Sequence, residues 1–156
     1  MSGRETHLPL VKAKAQRNQL DWRLLDAMVS VESSYIPELM KYEEGFTSRV
    51  IPSQFAQINR IDVATESQLE KFSYGLGQIM GGTARGYGYS HPLTRLLDPE
   101  INLDWVCRHL LELHKKYTFM NDIISVYNCG SLKKDPNGRY IKNQKYVDEV
   151  ISRFAK

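Results

Sequence analysis

The fold is decided by residues 98–117, DPEINLDWVCRHLLELHKKY, which predict one long helix. Asp98 can cap the first turn, Pro99 suits the first helical position, and Glu100 favours the positive end of the helix dipole. The apolar residues recur at helical spacing and form one stripe: Leu103, Val106, Leu110, Leu113 and Tyr117. We therefore expect this helix to lie at the centre of the core.

Towards the N-terminus the helical patterns become shorter. Residues 5–19 predict a short amphipathic helix, and Asp21 can cap a second helix with apolar positions at i, i+3 and i+4. That second helix must end before Pro37, because the residue preceding a proline avoids helical geometry. Residues 37–64 predict a long irregular stretch with one helical turn at most.

On either side of the long helix, three further helices are predicted. A capping box at residues 65–68 predicts a short helix to about Phe72, and the glycine-rich stretch 73–90 then indicates close backbone approaches. A helix from about residue 121 or 122 should stop at Gly130, and a last one should span about 143–154. No alternating strand pattern of useful length appears, so the fold is predicted to be mainly α.

Size and composition predict one soluble domain over residues 1–156. The chain is 42% hydrophobic and 25% charged, which is typical of a globular protein. No run reaches the roughly 18 apolar residues of a membrane span, and the start shows no secretion signal. The net charge of +3 does not predict a nucleic-acid partner. A weakly cationic surface would suit an anionic polymer such as cell wall, but simple solvation of the surface is the favoured interpretation.

The sulfur and imidazole side chains indicate no cofactor. Cys107 and Cys129 lack metal-ligand spacing, and their number leaves buried thiols and one disulfide equally open. The four histidines form no ligand motif, so no metal site and no cofactor are expected: His7, His91, His109 and His114.

A carboxylate interrupts the apolar stripe of the second helix. Glu32 follows Leu25 by seven positions, Met28 by four and Val29 by three. Burial of an unpaired acid raises its proton affinity, and a carboxyl group protonated at neutral pH can act as a general acid. The alternative is that Glu32 lies at the helix edge and turns outward to water.

Three blocks of sequence, in this order, carry a family resemblance. They are Glu32-Ser33-Ser34-Tyr35, then residues 73–80, SYGLGQIM, and then Val126-Tyr127-Asn128-Cys129-Gly130. Together they resemble the lytic transglycosylase family over about residues 21–150. The resemblance implies a single lysozyme-like domain, of the goose-type and lytic transglycosylase kind, with a groove that binds glycan strands of peptidoglycan.

The resemblance implies that Glu32 is the catalytic residue. It would protonate the glycosidic oxygen between N-acetylmuramic acid and N-acetylglucosamine, and would then take the proton of the muramoyl C6 hydroxyl. That hydroxyl would close a 1,6-anhydro ring, so one carboxylate would suffice where most glycosidases need two.

Four residues of the glycine-rich block match positions that line the family's groove. Gln78 resembles a glutamine whose amide binds the sugars, and Ser73 resembles a serine near the acid; a solvated amide and a helix-terminating serine are the alternatives. Met80 matches a methionine of the cleft wall, with core packing as its alternative. Gly75 would allow a close backbone approach.

The third block supplies two candidates. Tyr127 resembles the tyrosine whose hydroxyl reaches the catalytic carboxyl, and Asn128 would bind sugar or cap the helix end. The alternative is a core tyrosine followed by an ordinary helix stop.

The chain departs from the family pattern in spacing and in small residues. Glu32 and Gln78 are 46 positions apart, which implies an insertion over the groove. If Glu43 or Glu44 of that insertion reached the groove, it could activate water and make the enzyme a muramidase, as goose-type lysozymes are; a solvated acidic turn is the alternative. Gly77, Gly81 and Cys129 stand where the family commonly has methionine, proline and alanine.

A third hypothesis is a wall-binding structural module without catalysis. The substrate lies in the periplasm or outside the cell, and with no secretion signal visible we expect delivery by a phage or another export route. The protein would then be a monomer or part of a phage or secretion assembly.

Overall fold

This computed structural model describes residues 1–154, and in them eight α-helices and three short strands form the fold. The strands pair as one antiparallel sheet in the order β1-β2-β3. The helices are α1 Gly3–Arg17, α2 Trp22–Ser33, α3 Pro52–Asn59, α4 Val63–Leu69, α5 Gly81–Gly86, α6 Pro99–Lys116, α7 Met120–Cys129 and α8 Gln144–Phe154. The strands are β1 Met40–Tyr42, β2 Phe72–Tyr74 and β3 Ile79–Met80, and a 3₁₀ helix spans Leu93–Leu97.

Helix α6 lies where the sequence predicted the central helix. The Asp98 carboxylate accepts a hydrogen bond from the Ile101 amide at 3.2 Å, and Pro99 occupies the first turn. The stripe from Leu103 to Leu113 is buried against α1, α7 and the 3₁₀ helix. Both the cap and the core position of this helix are therefore confirmed.

Helix α2 also begins and ends as predicted. The Asp21 carboxylate accepts from the Arg23 amide at 2.9 Å and so caps the first turn. The helix stops at Ser33 because Ser34 and Tyr35 both adopt left-handed backbone angles, with φ of 51° and 61°. Glu32 consequently lies in the last turn, where the chain leaves the helix.

The predicted capping box at residues 65–68 is wrong. Asp62 caps α4 instead, because its carboxylate accepts from both the amide and the hydroxyl of Thr65 at 2.8 Å. The helix therefore starts earlier, at Val63, and Phe72 belongs to β2. The stretch 37–64 is also more regular than predicted, since it contains β1 and the two-turn helix α3.

The small sheet has two different faces. Lys41 pairs with Ser73, and Ser73 pairs with Met80, so these three side chains share one face. Tyr42 and Phe72 share the other face, and their ring centroids are 5.3 Å apart. Strands of two or three residues are too short for alternation to reveal them in the sequence.

Helices α7 and α8 complete the core beside α2. Helix α7 ends at Gly130, whose φ of 79° is left-handed, as predicted. Helix α8 packs against both α2 and α7 through Val147 and Val150. The packing of α8 on α2 brings the C-terminal part of the chain to Glu32.

Two further expectations concern the cysteines and the membrane. Cys107 and Cys129 are both free thiols, so the disulfide alternative is excluded. Across residues 1–154, none of the helices has the length and apolar content needed to cross a bilayer.

Candidate active site

The candidate site is centred on the carboxyl group of Glu32. This side chain is half-buried at the end of α2, beside the buried residues Met28 and Val29. Loss of water by burial raises the pKa of Glu32 to about 7, from 4.5. The direction agrees with the rise in proton affinity that the sequence predicted, so the folded protein favours the protonated carboxyl more than water does.

Tyr146 is the direct partner of Glu32. Its hydroxyl donates a hydrogen bond of 2.5 Å to Oε1 of Glu32, across 114 positions of sequence. This bond favours the ionised carboxylate and so lowers the pKa of Glu32, but less than burial raises it. Sequence analysis missed Tyr146, although its spacing of four from Val150 and eight from Phe154 places it on the apolar stripe of α8.

Two charged residues of the β1 region act on the same carboxyl group. The ammonium group of Lys41 lowers the pKa of Glu32, and the carboxylate of Glu43 raises it. Both side chains are exposed and lie two positions apart, which places them on one side of the extended chain. β1 and the residue after it thus bring one cation and one anion near Glu32.

The turn between β2 and β3 holds the three motif blocks together. Three helices each send one side chain to it: Ser33 donates to the Leu76 carbonyl at 2.8 Å, Asn102 accepts from the Gly77 amide at 2.9 Å, and Tyr127 donates to the Gly77 carbonyl at 2.6 Å. Since Ser33 follows Glu32, this turn fixes the catalytic candidate relative to α6 and α7.

Tyr127 does not make its expected contact with Glu32. Its hydroxyl donates a hydrogen bond to the Gly77 carbonyl, and Tyr146 donates to the carboxyl group of Glu32 instead. Tyr127 nevertheless lies close enough to Glu32 for the two groups to interact. Burial raises the pKa of Tyr127 most, and the charge of Glu32 raises it next. The expected partner of Glu32 is therefore corrected from Tyr127 to Tyr146.

Gln78, which the resemblance makes a sugar-binding amide of the groove, is already hydrogen-bonded within the hairpin, and its contact with sugar stays a prediction. Its amide donates to the carbonyls of Leu39 and Gly75 at 3.0 and 2.9 Å, and its carbonyl oxygen accepts from the Ser73 hydroxyl at 2.8 Å. Both amide hydrogens are used and the side chain is buried. Gln78 and Ser73 thus brace the hairpin, and neither is hydrogen-bonded to Glu32.

The glycines of the turn permit close packing on α6. Gly75 has a φ of 70°, and a Cβ there would lie 2.6 Å from the Asn102 amide nitrogen. A Cβ on Gly77 would overlap the side chain of Val106. The first result confirms the expectation for Gly75, and the second explains why a larger residue is absent at position 77.

Met80 and Asn128 lie at more open positions. Met80 is half-buried on the same sheet face as Ser73. Among residues 1–154, it is not one of the side chains that pack against the main hydrophobic core. Asn128 is exposed, and its side-chain oxygen accepts from the Asn143 amide at 2.9 Å. Contact of either residue with sugar stays a prediction.

An aromatic row extends from Tyr127 through His109 to Tyr87. The rings of Tyr127 and His109 are 5.1 Å apart, and Nδ1 of His109 is hydrogen-bonded with the Tyr87 hydroxyl at 2.6 Å. Burial lowers the pKa of His109 to about 4, so its ring is neutral at pH 7. No ligand role was expected for His109, and in the structure its ring packs against Tyr127.

The insertion between Glu32 and Gln78 divides into two parts. β1 joins the sheet next to Glu32, whereas α3 packs on α4, where the Phe55 ring lies 4.7 Å from the Arg85 guanidinium. Only the first part therefore lies near the candidate site, and a cover over the groove stays a prediction. Within residues 1–154, no three His, Cys, Asp or Glu side chains are arranged to hold a metal ion.

Comparison with known proteins gives one match. The family model of the transglycosylase SLT domain matches residues 9–149. No curated protein and no solved structure matches the chain significantly.

Proposed function

The chain belongs to the transglycosylase SLT domain family, and from this premise we propose that it cleaves the β-1,4 bond between N-acetylmuramic acid and N-acetylglucosamine and leaves a 1,6-anhydromuramoyl end. Family membership makes peptidoglycan the substrate, the cell wall the place of action and the mainly helical fold lysozyme-like. The proposal concerns the bond, the product and the residues. The observation that carries it is the half-buried carboxyl group of Glu32, with a pKa of about 7.

In the first step, Glu32 acts as the general acid. Its proton passes to the glycosidic oxygen, the bond from that oxygen to C1 of the muramoyl sugar breaks, and the N-acetylglucosamine part leaves with a new hydroxyl. A carboxyl group with its pKa near the working pH can give up this proton and still be protonated in a large share of molecules.

In the second step, the same group acts as the base. The Glu32 carboxylate takes the proton of the C6 hydroxyl, and O6 forms a bond with C1, which closes the anhydro ring. Glu32 is protonated again and no water is consumed. The Tyr146 hydroxyl donates to Glu32 at 2.5 Å, so it supports the carboxylate between the two steps and fixes its orientation.

Product analysis of digested peptidoglycan tests the proposal. Wild-type protein is expected to release muropeptides with anhydro ends, and Glu32→Gln is expected to reduce the rate by at least about 10²-fold to 10⁴-fold, because proton transfer is lost. Undiminished clearing of walls by Glu32→Gln would contradict the assignment. Binding to walls without any clearing by the wild type would favour the structural module.

A hydrolytic muramidase is the second candidate, because the charge of Glu43 acts on Glu32. A second carboxylate near the acid could activate water, which would give products heavier by one water molecule. Mass spectrometry separates the two outcomes. The variant Glu43→Gln adds a second test: a lyase keeps its anhydro products in that variant, whereas a muramidase that depends on Glu43 loses its hydrolytic products.

A further inference from the structure

One short segment carries the positive charge of the whole chain. Residues 131–145, which we name the basic hairpin, contain five cations and one acid, a net charge of +4. The whole chain has a net charge of +3, so the other 141 residues together carry −1. The cations are Lys133, Lys134, Arg139, Lys142 and Lys145, and the acid is Asp135.

The inner face of the basic hairpin is committed to the fold. Lys134 and Tyr140 form a β-bridge, and both side chains bind the carboxylate of Asp122 in α7, at 2.7 and 2.5 Å. Asp135 is also occupied, since its carboxylate accepts the backbone amides of Asn137 and Arg139 in the turn. These contacts fix the hairpin as an ordered element and leave its only acid inside the turn.

The outer face presents Lys133 and Arg139 to solvent, and the exposed Lys142 and Lys145 follow where the segment enters α8. Because opposite residues share a face, Lys133 and Ile141 lie together, next to Arg139. All three are exposed, Ile141 to 64%. Within residues 1–154, no carboxylate lies within 4 Å of the charged groups of Lys133, Arg139, Lys142 or Lys145.

The basic hairpin is adjacent to the candidate active site. It connects α7, which carries Tyr127, to α8, which carries Tyr146. At its base, the Asn143 amide donates to the Ser125 carbonyl and to the Asn128 side chain, both at 2.9 Å. Lys145 directly precedes Tyr146, the hydrogen-bond partner of Glu32.

We propose that the outer face of the basic hairpin binds the carboxylates of the peptide stems that branch from the muramoyl sugars. This inference rests on the proposed function, which places a muramoyl sugar at Glu32. The N-acetylated sugar rings are neutral, so most of the negative charge of a peptidoglycan strand lies in its short peptides. Cations around an exposed isoleucine match a peptide that carries carboxylates and small apolar side chains.

Binding measurements in a Glu32→Gln background test this inference without cleavage. Calorimetry compares glycan strands with intact stems and strands stripped by an amidase, which keep only the lactyl carboxylate beside the ring. The test variant adds Lys133→Gln, Arg139→Gln and Lys145→Gln. The matched control adds Arg17→Gln, Arg95→Gln and Arg153→Gln, which removes the same charge at exposed sites elsewhere.

Stem-bearing strands are expected to bind the background protein more tightly than stripped strands. The hairpin variant should lose about 10-fold of that preference, since exposed ion pairs contribute modestly, and the loss should shrink at high salt. The control variant should keep the preference. An unchanged preference in the hairpin variant, or an equal loss of affinity for both strands, would overturn the inference; absence of cleavage by the wild type would instead overturn the proposed function.

Discussion

Glu66 and Glu32 are both withdrawn from water, and they differ in their partners. Glu66 is fully buried, and its two oxygens accept from Nε and Nη2 of Arg85 at 2.6 and 3.2 Å. Glu32 is half-buried and accepts from the neutral hydroxyl of Tyr146. A buried acid that is hydrogen-bonded to a guanidinium serves as a structural ion pair, whereas one whose hydrogen-bond partner is a neutral phenol has a raised pKa and can exchange a proton.

Breaking the structural pair should give the largest change in stability. Glu66→Gln leaves the Arg85 guanidinium buried without its counter-ion, so the free energy of unfolding should fall by about 3–5 kcal/mol. Urea unfolding measures the change, and Glu112→Gln, which removes surface ion pairs with Arg108 and Lys115, should lower the free energy of unfolding far less. Equal effects of the two substitutions would contradict the contrast.

Substitution of Glu32 should change the free energy of unfolding in the opposite direction at high pH. The folded state binds the Glu32 proton more tightly than the unfolded state, so protonation of Glu32 stabilises the fold. This stabilisation is complete below about pH 4.5 and is lost as pH rises through about 7. At pH 8, Glu32→Gln should therefore be more stable than the wild type by up to about 3 kcal/mol. Urea unfolding at pH 4.5 and pH 8 checks this, and a stability difference that does not change with pH would refute it.

A matched pair of tyrosines should give the smallest and most specific effects. Tyr146→Phe removes the hydrogen bond that lowers the pKa of Glu32, so the fall in activity at high pH should move upward by about one pH unit. Tyr127→Phe leaves the Gly77 carbonyl unpaired, which should lower stability by about 1 kcal/mol and leave that pH limb in place. If Tyr127→Phe moved the limb and Tyr146→Phe did not, the assignment of the partner of Glu32 would be reversed.

The sequence predicted those features that depend on local signals. The cap and proline of α6 and the glycine that ends α7 each act within a few residues, and the three motif blocks were correctly expected to meet. The partner of Glu32 was missed because Tyr146 lies 114 positions away and reaches it only through the packing of α8 on α2. The bonding of Gln78 was missed because its acceptors are backbone carbonyls, which no residue type reveals.

The helix start and the strands between Glu32 and Gln78 were also predicted wrongly. The cap of α4 depends on Asp62, but the Thr65–Gln68 pattern matched the capping rule equally well three positions later. The strands of the small sheet contain at most three residues, so pairing rather than pattern defines them. Local propensity therefore predicted helices well and tertiary pairing poorly.

The most direct test of the account is the titration of Glu32 itself. Carbon-13 NMR of the glutamate side-chain carboxyls, with Glu32→Gln to assign the resonance, measures its pKa in the folded protein. We expect a midpoint near pH 7, because burial outweighs the hydrogen bond from Tyr146. A midpoint near 4.5, the value of a carboxyl group in water, would contradict the claim that Glu32 is held ready as a proton donor.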